Sequence, residues 1–314
     1  MDYPTPLVSA EWLYGHLEDP LVRVIDCRFA LMEPDLGIRQ YQTGHIPGAV
    51  HLDLNRDLAS VVQRHGGRHP LPDINKLAKT LGRAGIQSGH SSIEIDNTGQ
   101  TNYEDSHSSI SQSSTHQPTF VVIYDDSRFA FASRLWWLLR YLGHPQVAIL
   151  DGGFHNWETG GYPVSQDQFV GQAKEFIPNV QPGWVVDIQN VKKTKDLAST
   201  ILVDSRQGDR YRGEREPIDP IAGHIPGAVN LFWKEVTTED GYAQPIEQQQ
   251  QRWQAVLGAL SQSQSEIAIA TPKDVVVYCG SGVTACVNLL SLELAQLPPG
   301  KLYAGSWSDW CSYM

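Results

Sequence analysis

A chain of 314 residues is long enough for two domains of ordinary size, and 41% apolar with 19% charged residues is the make-up of a soluble globular protein. The net charge of −11 argues against a nucleic-acid or anionic-membrane partner, so an anionic substrate would need a local cluster of arginine. No apolar run approaches a membrane span, and the opening Met-Asp-Tyr-Pro-Thr-Pro has neither the basic nor the apolar region of a secretory signal. Cysteines 27, 279, 286 and 311 lack metal-type spacing. They read as free thiols in a reducing compartment, with the cytoplasm as the expected location and neither metal nor cofactor implied.

Taken in order, the chain repeats itself. Leu7-Val-Ser-Ala-Glu-Trp-Leu13 is echoed by Val185-Val-Asp-Ile-Gln-Asn-Val191, and Val24-Ile-Asp26-Cys-Arg28 by Leu202-Val-Asp204-Ser-Arg206. Gly44-His-Ile-Pro-Gly-Ala-Val50 returns almost unchanged as Gly223-His-Ile-Pro-Gly-Ala-Val229. Val121-Val-Ile-Tyr124 matches Val275-Val-Val-Tyr278, each followed by a long apolar helical pattern, and Leu150-Asp-Gly-Gly-Phe-His-Asn-Trp157 matches Tyr303-Ala-Gly-Ser-Trp-Ser-Asp-Trp310. Matches in one order mean two copies of one domain. Short β-rich runs alternating with helical patterns predict α/β domains, each a mainly parallel sheet flanked by helices. The expected bounds are 1–165 and 184–314, joined by a polar linker at 166–183. A Ser/Thr-rich stretch at 88–118, poor in apolar residues, reads as a mobile surface insertion in the first copy.

The chemistry concentrates after the strand Val275–Tyr278. Cys279 opens the loop Gly280-Ser281-Gly282-Val283-Thr284, and a largely buried helix is predicted from there to Leu297. Backbone N–H groups of such a strand-to-helix turn, with the helix N-terminus, make an anion-binding concavity, and a cysteine so placed is expected to react as its thiolate. Thr284 is a candidate helix cap. In the first copy Asp125 replaces Cys279 and the loop Asp126-Ser-Arg-Phe lacks the glycines, so that copy is expected to be catalytically silent and to complete the cleft by packing. His45 and His224, Asp26 and Asp204 recur in both copies and are assigned to structure. Cys286 and the tandem Trp136-Trp137 are assigned to core or domain interface.

Together these motifs resemble the two-domain rhodanese sulfurtransferases, over the whole chain apart from the 88–118 stretch. The loop Cys-Gly-Ser-Gly-Val-Thr is similar to the 3-mercaptopyruvate branch, whereas the thiosulfate branch typically carries Cys-Arg-Lys-Gly-Val-Thr. The resemblance implies transfer of a sulfane sulfur from 3-mercaptopyruvate or thiosulfate, through a Cys279 persulfide, to a thiol, a thioredoxin-like protein or cyanide. It also implies that Arg210 binds the donor. The second arginine of the mercaptopyruvate branch is missing from Glu216-Pro-Ile-Asp219, and Arg215 is the candidate to replace it. Ser281 is similar to a serine which that branch pairs with a histidine and an aspartate. His69 stands at the histidine position as a candidate assisting residue, while Asn55 stands at the aspartate position. Three alternatives are a thiosulfate-preferring enzyme, a non-catalytic persulfide carrier or interaction module, and a phosphatase of related fold. The last requires an arginine six positions after the cysteine, where this chain has Ala285.

Overall fold

The computed structural model describes residues 3, 6–89, 117–169, 171–259 and 274–314. Residues 90–116, nearly all of the expected insertion, lie outside the described residues. The first domain contains β1 (Leu7–Val8), β2 (Val22–Asp26), β3 (Val50–His51), β4 (Phe120–Tyr124) and β5 (Val147–Leu150). The second contains β6 (Val185–Val186), β7 (Thr200–Asp204), β8 (Val229–Asn230), β9 (Asp274–Tyr278) and β10 (Lys301–Tyr303). Each set forms one parallel sheet, ordered β1-β5-β4-β2-β3 and β6-β10-β9-β7-β8. The register repeats as well: Ile25 faces Ile123 in one sheet and Val203 faces Val277 in the other.

Helices cover both faces of each sheet, which is why central strands such as Phe-Val-Val-Ile-Tyr carry no polar alternation and are buried throughout. The first domain has α1 (Ala10–Gly15), α2 (Leu36–Thr43), α3 (Ile74–Arg83), α4 (Ala132–Tyr141) and α5 (Gly153–Thr159). The second has α6 (Ile188–Thr194), α7 (Gly208–Tyr211), α8 (Ile246–Ala259), α9 (Ala285–Leu294) and α10 (Ser306–Cys311). The central pair α4 and α9 pack against each other, so the cores on the facing sides of the two sheets merge into one apolar cluster. Trp136 and Trp137 are buried in that cluster, and Arg140 of α4 pairs with Glu293 of α9 at 2.8 Å. Among the described residues no helix is long and apolar enough to cross a membrane.

The recurring Asp-Xaa-Arg and Gly-His-Ile-Pro-Gly motifs form one clip, built twice. Arg28 pairs with Asp26 and donates to the Gly44 carbonyl at 2.7 Å; Arg206 pairs with Asp204 and donates to the Gly223 carbonyl at 2.6 Å. His45 and His224 stack on Tyr41 and Tyr211, and each holds the carbonyl of that tyrosine through Nδ1 at 2.8 Å. Both clips tie the turn after the second helix of the domain to the end of β2 or β7, a structural task. All four charged groups are buried, and removing one partner strands the other in a low-dielectric interior. Asp26→Ala should therefore destabilise the first domain by about 3–5 kcal/mol in urea unfolding. A loss below about 1 kcal/mol would mean that the pair behaves as an exposed one.

Candidate active site

In both sheets the chain leaves neighbouring central strands in opposite directions, from β2 and β4 in one and from β7 and β9 in the other, which opens a crevice beyond their C-terminal ends. In the second domain Cys279 follows β9 and Arg210 lies on α7, just after β7. The first domain closes the other side of a cleft of about 540 Å³ whose walls include Cys279, Ser281 and Arg210 together with Arg68, His69 and Phe131.

The cysteine loop is held from below. Gly282 N–H donates to Cys279 Sγ at 3.2 Å, and the Cys279 N–H donates to Ser306 Oγ at 3.1 Å. The N–H groups of Trp307 and Ser308 reach the carbonyls of Cys279 and Gly280 at 3.0 and 2.9 Å, so the closing Gly305-Ser-Trp-Ser-Asp-Trp segment braces the loop. Gly282 adopts φ +77° with the Ala304 carbonyl pressed against it: an added Cβ would lie 2.2 Å from that oxygen. Any side chain here breaks the loop. Thr284 occupies the N-cap position of α9 without a side-chain cap bond, in place of the expected cap, and its side chain lines the cleft. Val283 also lines it. Cys286 is buried in α9, its thiol 3.5 Å from the Gly282 carbonyl, and burial pushes it up to about 12.

Ser281 and His69, from different domains, meet with Oγ and Nδ1 2.8 Å apart. Burial first, then the Arg134 and Arg68 guanidiniums, push His69 down to about 4, so it is neutral at physiological pH. Asn55 sits in an exposed turn, its N–H held by Asp53 Oδ1. Arg215 lies away from the cleft: it pairs with Asp209 at 2.7 Å and its side chain is 53% exposed. The expectation that it replaces the missing arginine fails because Asp209 draws it to the surface side of the segment.

Two arginines that the sequence reading passed over reach the site from the first domain. Arg134, on α4, is fully buried and donates to the Gly282 carbonyl at 3.0 Å and the His69 carbonyl at 3.3 Å. Burial draws its guanidinium down from the usual arginine range, while the sulfurs of Cys286 and Cys279 act to hold it up. Arg68 stands next to His69 and pairs with Asp219, which also receives Arg210 Nη2 at 3.2 Å. Arg210 further pairs with Glu216 at 2.6 Å. The only early signal for either arginine was its motif, Gly67-Arg68-His69 and the apolar helix around Arg134. Neither shows which surface faces the other domain.

In the first domain the equivalent loop is closed on itself. Asp125 Oδ1 accepts from the N–H groups of Ser127 and Phe129 at 2.8 and 3.1 Å, and Oδ2 from those of Phe131 and Ala132 at 2.9 and 2.8 Å. Burial raises this carboxyl above the ordinary aspartate range, against the pull of those donors. Among the described residues no cluster of histidine, cysteine and acidic side chains is arranged to hold a metal ion.

The rhodanese-like domain model matches residues 9–159 and 185–313. The chain is 38% identical over 307 residues to a probable 3-mercaptopyruvate sulfurtransferase of Pseudomonas aeruginosa, covering 97% of this chain and 94% of the relative. It is 32% identical over 311 residues to a putative thiosulfate sulfurtransferase of Mycobacterium tuberculosis, covering 98% and 94%. The crystal structure of a 3-mercaptopyruvate sulfurtransferase, SseA of Escherichia coli, superposes with a TM-score of 0.72 at 28% identity over 97% of this chain and all of that one. With a rhodanese domain on each side of the cleft and full-length relatives of that kind, the chain belongs to the two-domain rhodanese family of sulfurtransferases.

Proposed function

We propose that the protein transfers sulfur from 3-mercaptopyruvate through a persulfide on Cys279. The observation that carries this reading is Cys279 itself, its sulfur receiving the Gly282 N–H in a cleft lined by guanidiniums. The Cys279 thiolate attacks the donor sulfur, forming an S–S bond as the donor's C–S bond breaks. The carbon keeps the electron pair as an enolate, and the donor's thiol proton ends on the methyl group of pyruvate. Loop N–H groups hold the anionic persulfide. In the tautomer whose Nδ1–H donates to Ser281, neutral His69 leaves the serine hydroxyl free to meet the donor's ketone oxygen as it takes on enolate charge. An acceptor thiol, a thioredoxin-like protein or cyanide then takes the outer sulfur and restores the thiolate. Free cysteines at all four positions suit the cytoplasm.

Thiosulfate is the second reading, favoured by the cations Arg68, Arg128, Arg210 and Lys234 around the cleft. Charge decides against it. Arg68 and Arg210 are already paired with Asp219 and Glu216, and Gly280 and Ser281 add none, so a dianion finds less compensation than a monoanionic keto acid. The first domain is catalytically silent in this reading, its cradle filled by Asp125. It contributes one wall of the cleft, with the domains spanning 1–165 and 184–314.

Cys279→Ser should lower transfer by about three orders of magnitude or more, since a serine hydroxyl without a strong base is a poor sulfur nucleophile. Cys286→Ala should retain most activity, and equal loss in both variants would remove the single-nucleophile assignment. Steady-state rates with both donors should give a higher kcat/KM for 3-mercaptopyruvate, and Arg210→Ala should cut it about ten- to a hundred-fold. A parent enzyme that prefers thiosulfate overturns the donor reading.

The low His69 value has a stability consequence. Its folded value of about 4 lies below the usual 6.5, so the unfolded chain binds the proton more readily between those values. Stability is complete above about pH 6.5 and is lost as pH falls toward 4. Urea unfolding at pH 7 and pH 4.5 should show about 2 kcal/mol of acid-linked loss that His69→Gln removes. An identical pH dependence in the two proteins would count against a buried neutral imidazole.

A further inference from the structure

We propose that Arg68, contributed by the first domain, is the second donor-carboxylate arginine, forming with Arg210 a clamp that spans the domain interface. The inference rests on the keto-acid reading of the donor and specifies how its carboxylate is recognised.

Gly280 marks where the two guanidiniums converge. A Cβ built on it would lie 2.9 Å from Arg68 Nη2, 3.6 Å from Arg210 Nη2 and 3.7 Å from Arg210 Nη1. Both side chains line the cleft beside Cys279. A 3-mercaptopyruvate molecule carries its carboxyl carbon three bonds from its sulfur, when extended about the length of one residue step. With its sulfur at Cys279, that carboxylate is within reach of the space over Gly280. The missing side chain at position 280 leaves the space, and the two arginines supply planar forks suited to a carboxylate.

The clamp is held in place before any donor arrives. One carboxylate, Asp219, receives Arg68 on Oδ1 and Arg210 on Oδ2. Asp219 is almost completely enclosed, with 2% of its side chain exposed, whereas Arg68 and Arg210 keep 26% and 14%. Both arginines thus keep part of their side chain exposed at the cleft. Burial raises the Asp219 carboxyl, and the Arg68 and Arg210 guanidiniums oppose that rise without cancelling it. The segment carrying Arg68 is itself fixed to the second domain. Gly66 N–H donates to Asp309 Oδ1 at 2.7 Å, and Arg68 N–H donates to Ser308 Oγ at 3.1 Å. Gly67, at φ +82°, brings its backbone against the Gly305 carbonyl, where a Cβ would lie 2.4 Å from the oxygen. These contacts place Arg68 opposite Arg210 although the two belong to different domains.

The test uses two alkylating probes that share a ketone and a bromomethyl group and differ in charge: 3-bromopyruvate, with a carboxylate, and bromoacetone, with a methyl in its place. In each case the Cys279 sulfur forms a bond to the CH2 carbon as bromide leaves, and intact mass reports the rate on the full chain. The parent should react faster with 3-bromopyruvate. Arg68→Gln and Arg210→Gln should each lower that rate about ten-fold while bromoacetone stays within about two-fold, and Arg68→Lys should recover part of the loss. The KM for 3-mercaptopyruvate should rise in parallel, with kcat changing less. If Arg210→Gln alters the ratio of the two rates and Arg68→Gln does not, the clamp has one arginine and the proposal is overturned. If Arg68→Gln slows both probes equally, the residue supports the loop rather than the donor, which also overturns it. A ratio near one in the parent, unmoved by either substitution, removes the keto-acid reading and the clamp together.

Discussion

The site depends on one cation buried where the two domains meet. Arg134 has no contact with solvent, yet its guanidinium holds the carbonyl of Gly282 from one domain and that of His69 from the other. Desolvating a guanidinium is costly, and the cost is offset only while acceptors remain in place. The cysteine loop and the histidine segment are therefore positioned by the same group, and neither can shift without stranding a buried charge. The same charge helps to keep His69 neutral and lies close enough to the sulfurs of Cys279 and Cys286 to interact with them. Geometry and electrostatics at the cleft are thus set by the contact between α4 and α9.

Much of this is legible in the amino-acid sequence. The repeat revealed two sheets of one kind, and the apolar run before Cys279 with glycines after it specified a strand, a turn and a helix. The shared Asp-Xaa-Arg and Gly-His-Ile-Pro-Gly motifs turned out to be one buried clip in each domain, which explains why they recur where the cysteine does not. What stayed hidden depends on the approach of one domain to the other. Arg68 and Arg134 look like any arginine in a turn or on a helix, and only the packing of the first domain against α10 and α9 brings them to Cys279. Local competition misled as well. Asp209 draws Arg215 outward, and Thr284 takes the cap position without bonding its hydroxyl to the helix.

The two strand-to-helix loops differ by little. Ala285 opens α9 six positions after Cys279, whereas Ala132 opens α4 seven positions after Asp125. The longer loop takes Arg128 and Phe129 through positive φ, at 59° and 69°, and so wraps its amides around the carboxylate. The shorter one relies on Gly282 for the same reversal and leaves a sulfur at the centre.

A carboxylate bonded by four amides of its own loop is a tethered ligand, present at an effective concentration of order millimolar or above that no dilute solute displaces. The first-domain turn therefore has the shape of an occupied anion site. Duplication of a binding fold raises the problem of a spare site that would sequester substrate or react on its own. Here the amides of that turn close on Asp125, at the head of the helix that carries Arg134.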